Sequence, residues 1–188
     1  MHHFIFPTQD TWISSGSSTI DGTSFRDQNF GRDQILEVKK EFFNNSFDHF
    51  TRALVQFSGD EFTELSKSIS DGTIASDAKY YLRLYEAQGN SSLSEEYKLA
   101  IQPIAQSWTE GTGKFGDRPK NTNGCSFDNR SNPPDVNVEV TDMVNMWVTG
   151  SAQNYGMLVN FSGSQETDST TFGHLKFFSR NTHTIFSP

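Results

Sequence analysis

A glycine-rich segment that begins at Trp108 contains the residues best suited to chemistry. Glu110, Lys114 and Asp117 follow Trp108 with glycines between them. A sugar ring is bound by a flat aromatic face together with charged and amide groups that bond its hydroxyls. We therefore predict a carbohydrate-binding site in this segment, with Trp12 as a second aromatic surface. The alternative is that both tryptophans lie in the core, because burial is the commoner fate of an indole.

Oxygen-bearing side chains recur in the segment 27–33. Asp27, Asn29 and Asp33 surround Gly31, and carboxylate and amide oxygens are the ligands that Ca²⁺ prefers. The bidentate glutamate expected later in a calcium loop is absent, however. We therefore favour a turn in which Asp27 and Asn29 bond to their own backbone, and calcium is the weaker alternative. We expect no other cofactor.

Four phenylalanines fall in one short stretch between two predicted strands: Phe42, Phe43, Phe47 and Phe50. They are too many for a freely solvated loop. The stretch is either a flap over one sheet, which we favour, or a surface for contact with another protein. It is our first candidate for a subunit interface.

Catalytic signatures are absent from the sequence. None of the five histidines belongs to a tight motif such as His-Glu-x-x-His. The neighbouring carboxylates of Glu95 with Glu96, and of Asp60 with Glu61, would point to opposite faces of a strand. They therefore do not form the acid and base pair of a glycosidase. We expect a non-enzymatic protein, with a glycoside hydrolase or lyase as the least favoured function.

The composition restricts the class of protein further. A chain of 188 residues forms one core, so we predict a single domain over residues 1–188. A net charge of -8 gives no basic surface for nucleic acid. The single cysteine, Cys125, excludes an internal disulfide and a cysteine-rich zinc site. No window approaches the roughly 20 apolar residues of a membrane helix, and the first residues do not form a secretory signal.

The elements that position these residues are mainly strands. Apolar and polar residues alternate in several short segments, which is typical of half-buried strands. We predict an all-β fold, a β-sandwich or jelly roll of about ten strands, with one or two helical turns at 60–69. The predicted strands include residues 2–6, 10–14, 34–39, 52–57, 80–85, 95–101, 136–140, 157–161 and 172–178.

The segment 136–161 organises the predicted fold. It begins with the strand 136–140 and continues as a short helix at about 141–149, which Thr141 or Asp142 caps. Gly150 ends the helix, and a turn at 154–156 leads to the strand 157–161. Trp147 lies on the apolar side of the helix, so we predict that it is buried.

The order of short motifs resembles the DNRLRE-type carbohydrate-binding-module superfamily. The motifs are DTWISS at 10–15, NFG at 29–31, RALVQF at 52–57, YLRLY at 81–85, SWTE at 107–110, VTDMV at 140–144, Trp147 and NYG at 154–156. The resemblance implies a β-sandwich module of the non-catalytic kind that is appended to polysaccharide-acting enzymes and surface proteins. The first alternative function is therefore a glycan-binding module of a secreted or cell-surface protein.

A narrower resemblance is to virion structural proteins of T4-like marine phages, including cyanophages. EFFNNS at 41–46 and GHLKFFSRNTHTI at 173–185 carry it. It implies our leading hypothesis, a capsid decoration, tail, baseplate or fibre subunit that assembles in the host cytoplasm. The expected partners are other virion proteins, further copies of this chain and host glycans. For a secreted module, the expected location is extracellular.

The chain departs from these relatives in two places. Relatives tend to be longer where Asn132 meets Pro133, and they tend to close with a Pro-x-Leu-x-Val strand beyond Pro188. If that last strand is missing, the edge beside the strand 172–178 exposes unpaired backbone groups. We expect a partner chain to pair with such an edge.

Overall fold

The computed structural model describes residues 3–17, 22–43, 46–88, 97–126 and 140–183. Its strands, all paired antiparallel, confirm the predicted all-β sandwich-type fold. The strands are β1 (Pro7–Ser14), β2 (Ile35–Phe43), β3 (Ser46–Phe57), β4 (Glu86–Gln88), β5 (Leu99–Pro103), β6 (Met157–Phe161) and β7 (Gly173–Phe178). The helices are α1 (Gly59–Ser70), α2 (Val140–Val148) and α3 (Gly163–Thr167). The described residues thus form seven strands and three helices, rather than about ten strands and one helix.

Strand β3 connects the two halves of the sheet, whose order is β4-β7-β2-β3-β6-β5. Its first half pairs with β2, up to Thr51 opposite Lys39. Its second half pairs with β6, where Val55 lies opposite Met157. Strand β1 runs along the other edge of β3, with Ser14 opposite Thr51. A single long strand therefore contributes to both halves.

The main core lies on one face of β2, β3, β6 and β7. It is formed by alternate apolar residues, as the period-two patterns at 34–39 and 52–57 predicted. The buried members are Leu36, Val38, Ala53, Val55, Val159, Phe161, Leu175 and Phe177. A second cluster lies under α1 and α2 and includes Phe62, Met143 and Trp147. Among the described residues, no helix is long and apolar enough to cross a membrane.

Most of the organising segment is confirmed. Helix α2 begins at Val140, Trp147 is only 7% exposed, and Gly150 has φ 71° just after the helix. Strand β6 occupies the predicted residues. The predicted cap is wrong, because α2 begins before Thr141 and the Thr141 hydroxyl accepts a hydrogen bond from Tyr80 N instead. The predicted strand residues 136–139 lie outside the described part of the chain.

Helix α1 is longer than the one or two turns predicted. It spans twelve residues, and the Ser58 side chain accepts a hydrogen bond from Asp60 N at its start (3.2 Å). This bond satisfies one of the backbone donors that a helix start leaves unpaired. Phe62 and Leu65 are buried on the inner side.

Three predicted strands differ in the structure. Residues 3–6 are not in a strand, and β1 begins at Pro7, opposite Phe57. Residues 80–85 alternate in exposure as predicted, but pairing with β7 is assigned only from Glu86 onward. Strand β5 begins at Leu99 rather than residue 95, and residues 95–96 lie outside the described part. For residues 80–85, alternation identified the exposed face and did not identify the pairing partner.

Helix α3 was not predicted, and two buried cations hold it in place. Lys40, whose side chain is fully buried, donates from Nζ to the carbonyl oxygens of Gln165 (2.6 Å) and Asp168 (2.5 Å) and to the Asp168 carboxylate (3.2 Å). The Arg52 guanidinium forms two 2.7 Å hydrogen bonds with the Glu166 carboxylate. Burial raises the pKa of Asp168, but bonds from Thr171 and other donors outweigh it, so this pKa lies well below its ordinary value.

Candidate functional site: a glycine-rich loop over an aromatic cluster

Asn29 joins two loops that are distant in sequence. It is fully buried, and its amide nitrogen donates to the carbonyl oxygens of Glu110 (2.7 Å) and Cys125 (3.1 Å). Its Oδ1 accepts hydrogen bonds from Gly31 N (3.1 Å) and Gly113 N (2.8 Å). All four partners are backbone groups. Asn29 therefore fixes the path of the glycine-rich loop, residues 108–125, against the Asn29 loop, residues 25–33.

The glycines permit this close approach. A Cβ on Gly113 would lie 2.2 Å from the Asn29 carbonyl oxygen. At Gly111, with φ 79°, a Cβ would lie 1.9 Å from the Asn123 carbonyl oxygen. No larger residue fits at either place without moving backbone. The glycines thus allow tight packing of one loop on the other.

An aromatic cluster lies beneath the glycine-rich loop. Trp12 stacks on Phe30 with ring centroids 3.7 Å apart, and both rings are buried. The Phe115 ring lies 5.4 Å from Phe25 and 6.1 Å from Trp12, yet Phe115 remains 49% exposed. Phe115 is therefore the one member of this cluster that presents a large area to solvent.

Asp33 holds Phe115 against Trp12. Its carboxylate accepts hydrogen bonds from Trp12 Nε1 (3.0 Å) and from Phe115 N (3.2 Å). Burial raises the pKa of Asp33 to about 6, although these two bonds act in the opposite direction. The Gln28 amide donates to the carbonyl oxygens of Lys114 (2.9 Å) and Phe115 (3.3 Å). The Phe115 backbone is thus fixed at both its N–H and its carbonyl group.

Glu110 belongs to a second polar network. Its carboxylate pairs with Arg180, with Nε at 2.8 Å, and accepts a hydrogen bond from Asp10 N at 3.1 Å. The buried Asp10 carboxylate accepts from Ser179 Oγ (3.0 Å) and Arg180 N (2.6 Å). Burial nevertheless raises the pKa of Asp10 to about 6. The Glu110 carboxylate therefore connects the glycine-rich loop to the end of β7 and bonds protein rather than facing outward.

The structure brings four of the five predicted sugar-binding residues into this region. Trp12 is in the aromatic cluster, and Glu110 is in the polar network with Arg180. Lys114 N donates to the Asp117 carboxylate (2.9 Å). Trp108 lies apart and is partly buried, with Nε1 donating to Tyr155 O at 2.7 Å. Trp12 is therefore buried, and Trp108 keeps part of its surface exposed.

Phe115 was missed by sequence reasoning. Its only local signal is an aromatic residue next to a glycine, between the charged residues Lys114 and Asp117. The tryptophans have larger rings and appeared better suited to sugar. Exposure decides which ring can reach a ligand, and exposure depends here on contacts between distant loops.

The three residues considered for calcium each bond to a different set of partners. Asp27 pairs with Lys120, Asn29 bonds to backbone groups, and Asp33 bonds to Trp12 and Phe115. The bond from Gly31 N to Asn29 Oδ1 is of the turn type that we favoured. Within the described ranges, no three His, Cys, Asp or Glu side chains form a group able to hold a metal ion.

The phenylalanine-rich stretch, which we placed between two predicted strands, lies instead in the paired ends of β2 and β3. Strands β2 and β3 pair through it, with Lys40 opposite Phe50 and Glu41 opposite His49. Phe42 is 53% exposed and Phe50 is partly buried. The side chains of Phe43 and Phe47 lie outside the described residues.

Comparison with known families gives a match over nearly the whole chain. Residues 3–186 match the model of carbohydrate-binding module family 96. No curated protein matches the chain at a significant level.

Proposed function

The chain belongs to carbohydrate-binding module family 96, and from this premise we propose that it binds glycan through the exposed ring of Phe115. A module of this kind binds carbohydrate and does not cleave it. The proposed ligand surface consists of Phe115 with the neighbouring Lys114, Asp117 and Arg118. The exposure of Phe115 on a fixed backbone is the observation that carries the proposal.

A rigid exposed ring is suited to binding because little freedom remains to be lost. The ring contacts the buried aromatic cluster while 49% of the residue stays exposed. Its N–H and carbonyl groups are already bonded by Asp33 and Gln28. Ordering an interface side chain on binding otherwise costs roughly 0.5–1.5 kcal/mol. The fixed ring of Phe115 avoids much of this cost.

The charged neighbours of Phe115 supply polar contacts. Lys114 is exposed and carries three ammonium donors for hydroxyl or carboxylate oxygens. The Arg118 Nη1 donates to the carbonyl oxygens of Phe115 (3.1 Å) and Asp117 (2.7 Å), which keeps its guanidinium near the ring. A sugar stacked on Phe115 would therefore have hydrogen-bond donors at its edge.

The test compares Phe115→Ala with Phe172→Ala in the full chain. Both residues are 49% exposed, but Phe172 lies just before β7. Affinity electrophoresis in gels of neutral, sulfated and uronate-containing polysaccharides identifies a ligand. We expect Phe115→Ala to weaken binding by about tenfold or more, as for a central aromatic contact. Phe172→Ala is expected to bind like the unchanged protein.

Two outcomes would oppose the proposal in different ways. If both variants bind glycan as tightly as the unchanged protein, Phe115 is not part of the site, although the protein still binds glycan. An absence of retardation in every gel by the unchanged protein would argue against glycan binding itself.

A role as a phage virion subunit is the second candidate function. It is supported by the sequence resemblance to virion proteins and by the exposure of Phe42 on the β2–β3 hairpin. In this role Phe42 would contact a neighbouring subunit, and the protein would assemble in the host cytoplasm. Light scattering is the test: a stable homo-oligomer that dissociates in Phe42→Ser supports the role. A monomer at all concentrations favours an extracellular glycan-binding module.

A further inference from the structure

A groove separates α1 from the loop that follows α2. Its volume is about 720 Å³, and its floor includes Phe62 and Trp147, whose ring centroids are 5.3 Å apart. Small-molecule sites in proteins typically measure about 300–1,000 Å³. The groove is therefore large enough to hold a compact ligand.

One wall of the groove is a polar ridge of α1. Thr63, Ser66, Lys67 and Ser70 line it, and their spacing of three and four residues places them on one face of the helix. Ser66 and Ser70 provide hydroxyls, and Lys67 provides an ammonium group. The ridge therefore offers hydrogen-bonding groups along its whole length.

The opposite wall is the loop after α2, which the fold holds in position. Gly150 and Asn154 both line the groove. The Asn154 amide donates to Phe57 O (2.9 Å), and its Oδ1 accepts from Gly156 N (3.0 Å). A Cβ on Gly150 would meet no atom within 4 Å, and the same holds for Gly59 on the α1 side. The walls are thus fixed, while the space beside both glycines is open.

Several polar groups that line the groove have no partner within the described part of the chain. Among the residues that the structure describes, the hydroxyls of Ser66 and Ser70, the Gln153 amide and the Lys67 ammonium make no hydrogen bond or ion pair. Hydroxyl and amide groups both donate and accept, so they can bond a ligand hydroxyl in either direction. An apolar ligand would bury these groups without partners, which is unfavourable.

The charges of the groove also restrict the ligand. Lys67 and Asp71 both line it, so its walls carry one positive and one negative charge. We propose that the groove is a second ligand site, which binds a neutral, hydroxyl-bearing sugar as a monosaccharide or as the end of a glycan chain. The hydroxyls of such a sugar can bond to the hydroxyl and amide groups of the walls. A neutral sugar also suits a groove whose one positive and one negative charge cancel.

The groove and the Phe115 surface lie at different points along β1. Pro7 pairs with Phe57, next to the Ser58 cap of α1, whereas Trp12, which belongs to the aromatic cluster, pairs with Ala53. At about 3.4 Å per residue, Pro7 and Trp12 are about 17 Å apart. The groove site therefore does not depend on the Phe115 proposal.

The test is an NMR titration of the full chain with glucose, galactose, mannose and their methyl glycosides. We expect saturable shifts of the backbone amides of Ser66, Ser70 and Gln153 with at least one sugar. Ser66→Trp would fill the groove and weaken this binding by about tenfold or more. Glu64→Trp, an exposed position of α1 outside the groove, is the matched control and should retain binding.

A second variant keeps the test valid if Ser66→Trp does not fold. Gln153→Ala changes an exposed residue of the opposite wall, and it should weaken sugar binding without lowering the melting temperature. Phe115→Ala should leave the groove shifts unchanged. The second site is overturned if no sugar gives saturable shifts, or if Phe115→Ala removes them.

Discussion

The glycine-rich loop and the two helices beside the groove are positioned by different forces. The loop is fixed by buried polar side chains, above all Asn29, whose four hydrogen bonds all end on backbone groups. The helices α1 and α2 pack through apolar residues such as Phe62, Met143 and Trp147. Hydrogen bonds require particular atoms in particular directions, whereas apolar contacts require only that volume be filled.

This difference determines how each region tolerates change. In the loop, loss of the Asn29 side chain removes several hydrogen bonds at once. Under the helices, a lost side chain leaves a cavity that neighbours partly refill. The loop should therefore be more sensitive to small polar changes and to pH, and the helices to loss of volume.

The largest effect is expected from Asn29→Ala. It removes four hydrogen bonds to backbone groups, and at about 1–1.5 kcal/mol for each the free energy of unfolding should fall by about 4–6 kcal/mol. Urea denaturation measures this change. The control is Asn145→Ala on the exposed side of α2, which should be nearly neutral. A loss for Asn29→Ala no larger than that of the control would mean that the loops do not depend on this amide.

A somewhat smaller effect is expected from Trp147→Ala in the apolar region. Trp147 is 7% exposed and contacts Phe62, so its removal should lower the free energy of unfolding by about 3–5 kcal/mol. Met146→Ala on the same helix is the control, because Met146 is 39% exposed. Thermal and urea denaturation should rank the two variants alike. A near-neutral Trp147→Ala would show that the helices do not pack through this residue.

A third effect is a pH dependence of the loop region. Burial raises the pKa of Asp10 and of Asp33 from 3.8 to about 6, so the folded protein holds both protons more tightly than the unfolded chain does. Their stabilising contribution is complete below about pH 4 and is lost as the pH rises through about 6. We therefore expect the free energy of unfolding to fall between about pH 4 and about pH 6.

Asp33→Asn is the matched variant for this pH effect, because an amide oxygen still accepts hydrogen bonds but does not ionise. It should flatten the fall between about pH 4 and about pH 6 in urea denaturation. Asp168 acts outside this window, because its pKa is lowered rather than raised. An unchanged pH profile in Asp33→Asn would show that Asp33 does not titrate with folding.

Alternation of apolar residues predicted much of the fold correctly. It located β2 and the second half of β3, because their apolar residues face one core. It failed for α3, which has no buried residues and is held by contacts with distant strands. Lys40 occupies the same face of β2 as Leu36 and Val38, and a charged residue at a core-facing position is the sequence signal for such a contact.

The candidate site was located in sequence only in part. The glycine-rich segment was identified, but the residue exposed on it was not. Phe115 is positioned by Asp33, which is 82 residues away, and no local pattern records such a contact. The conformation of Asn29 likewise depends on partners in another loop. Local sequence patterns indicate where helices and strands lie. They do not indicate which loop residue is exposed, because that depends on tertiary contacts.

The buried Lys40 ammonium has a consequence for how the α3 segment responds to its surroundings. Two carbonyl oxygens and a carboxylate around a cation form the kind of oxygen-rich setting in which a protein often binds a metal ion. Here the cation is covalently attached to the chain, so its local concentration does not vary with the medium. Mass action therefore cannot empty this position, and dilution or a chelator leaves α3 anchored.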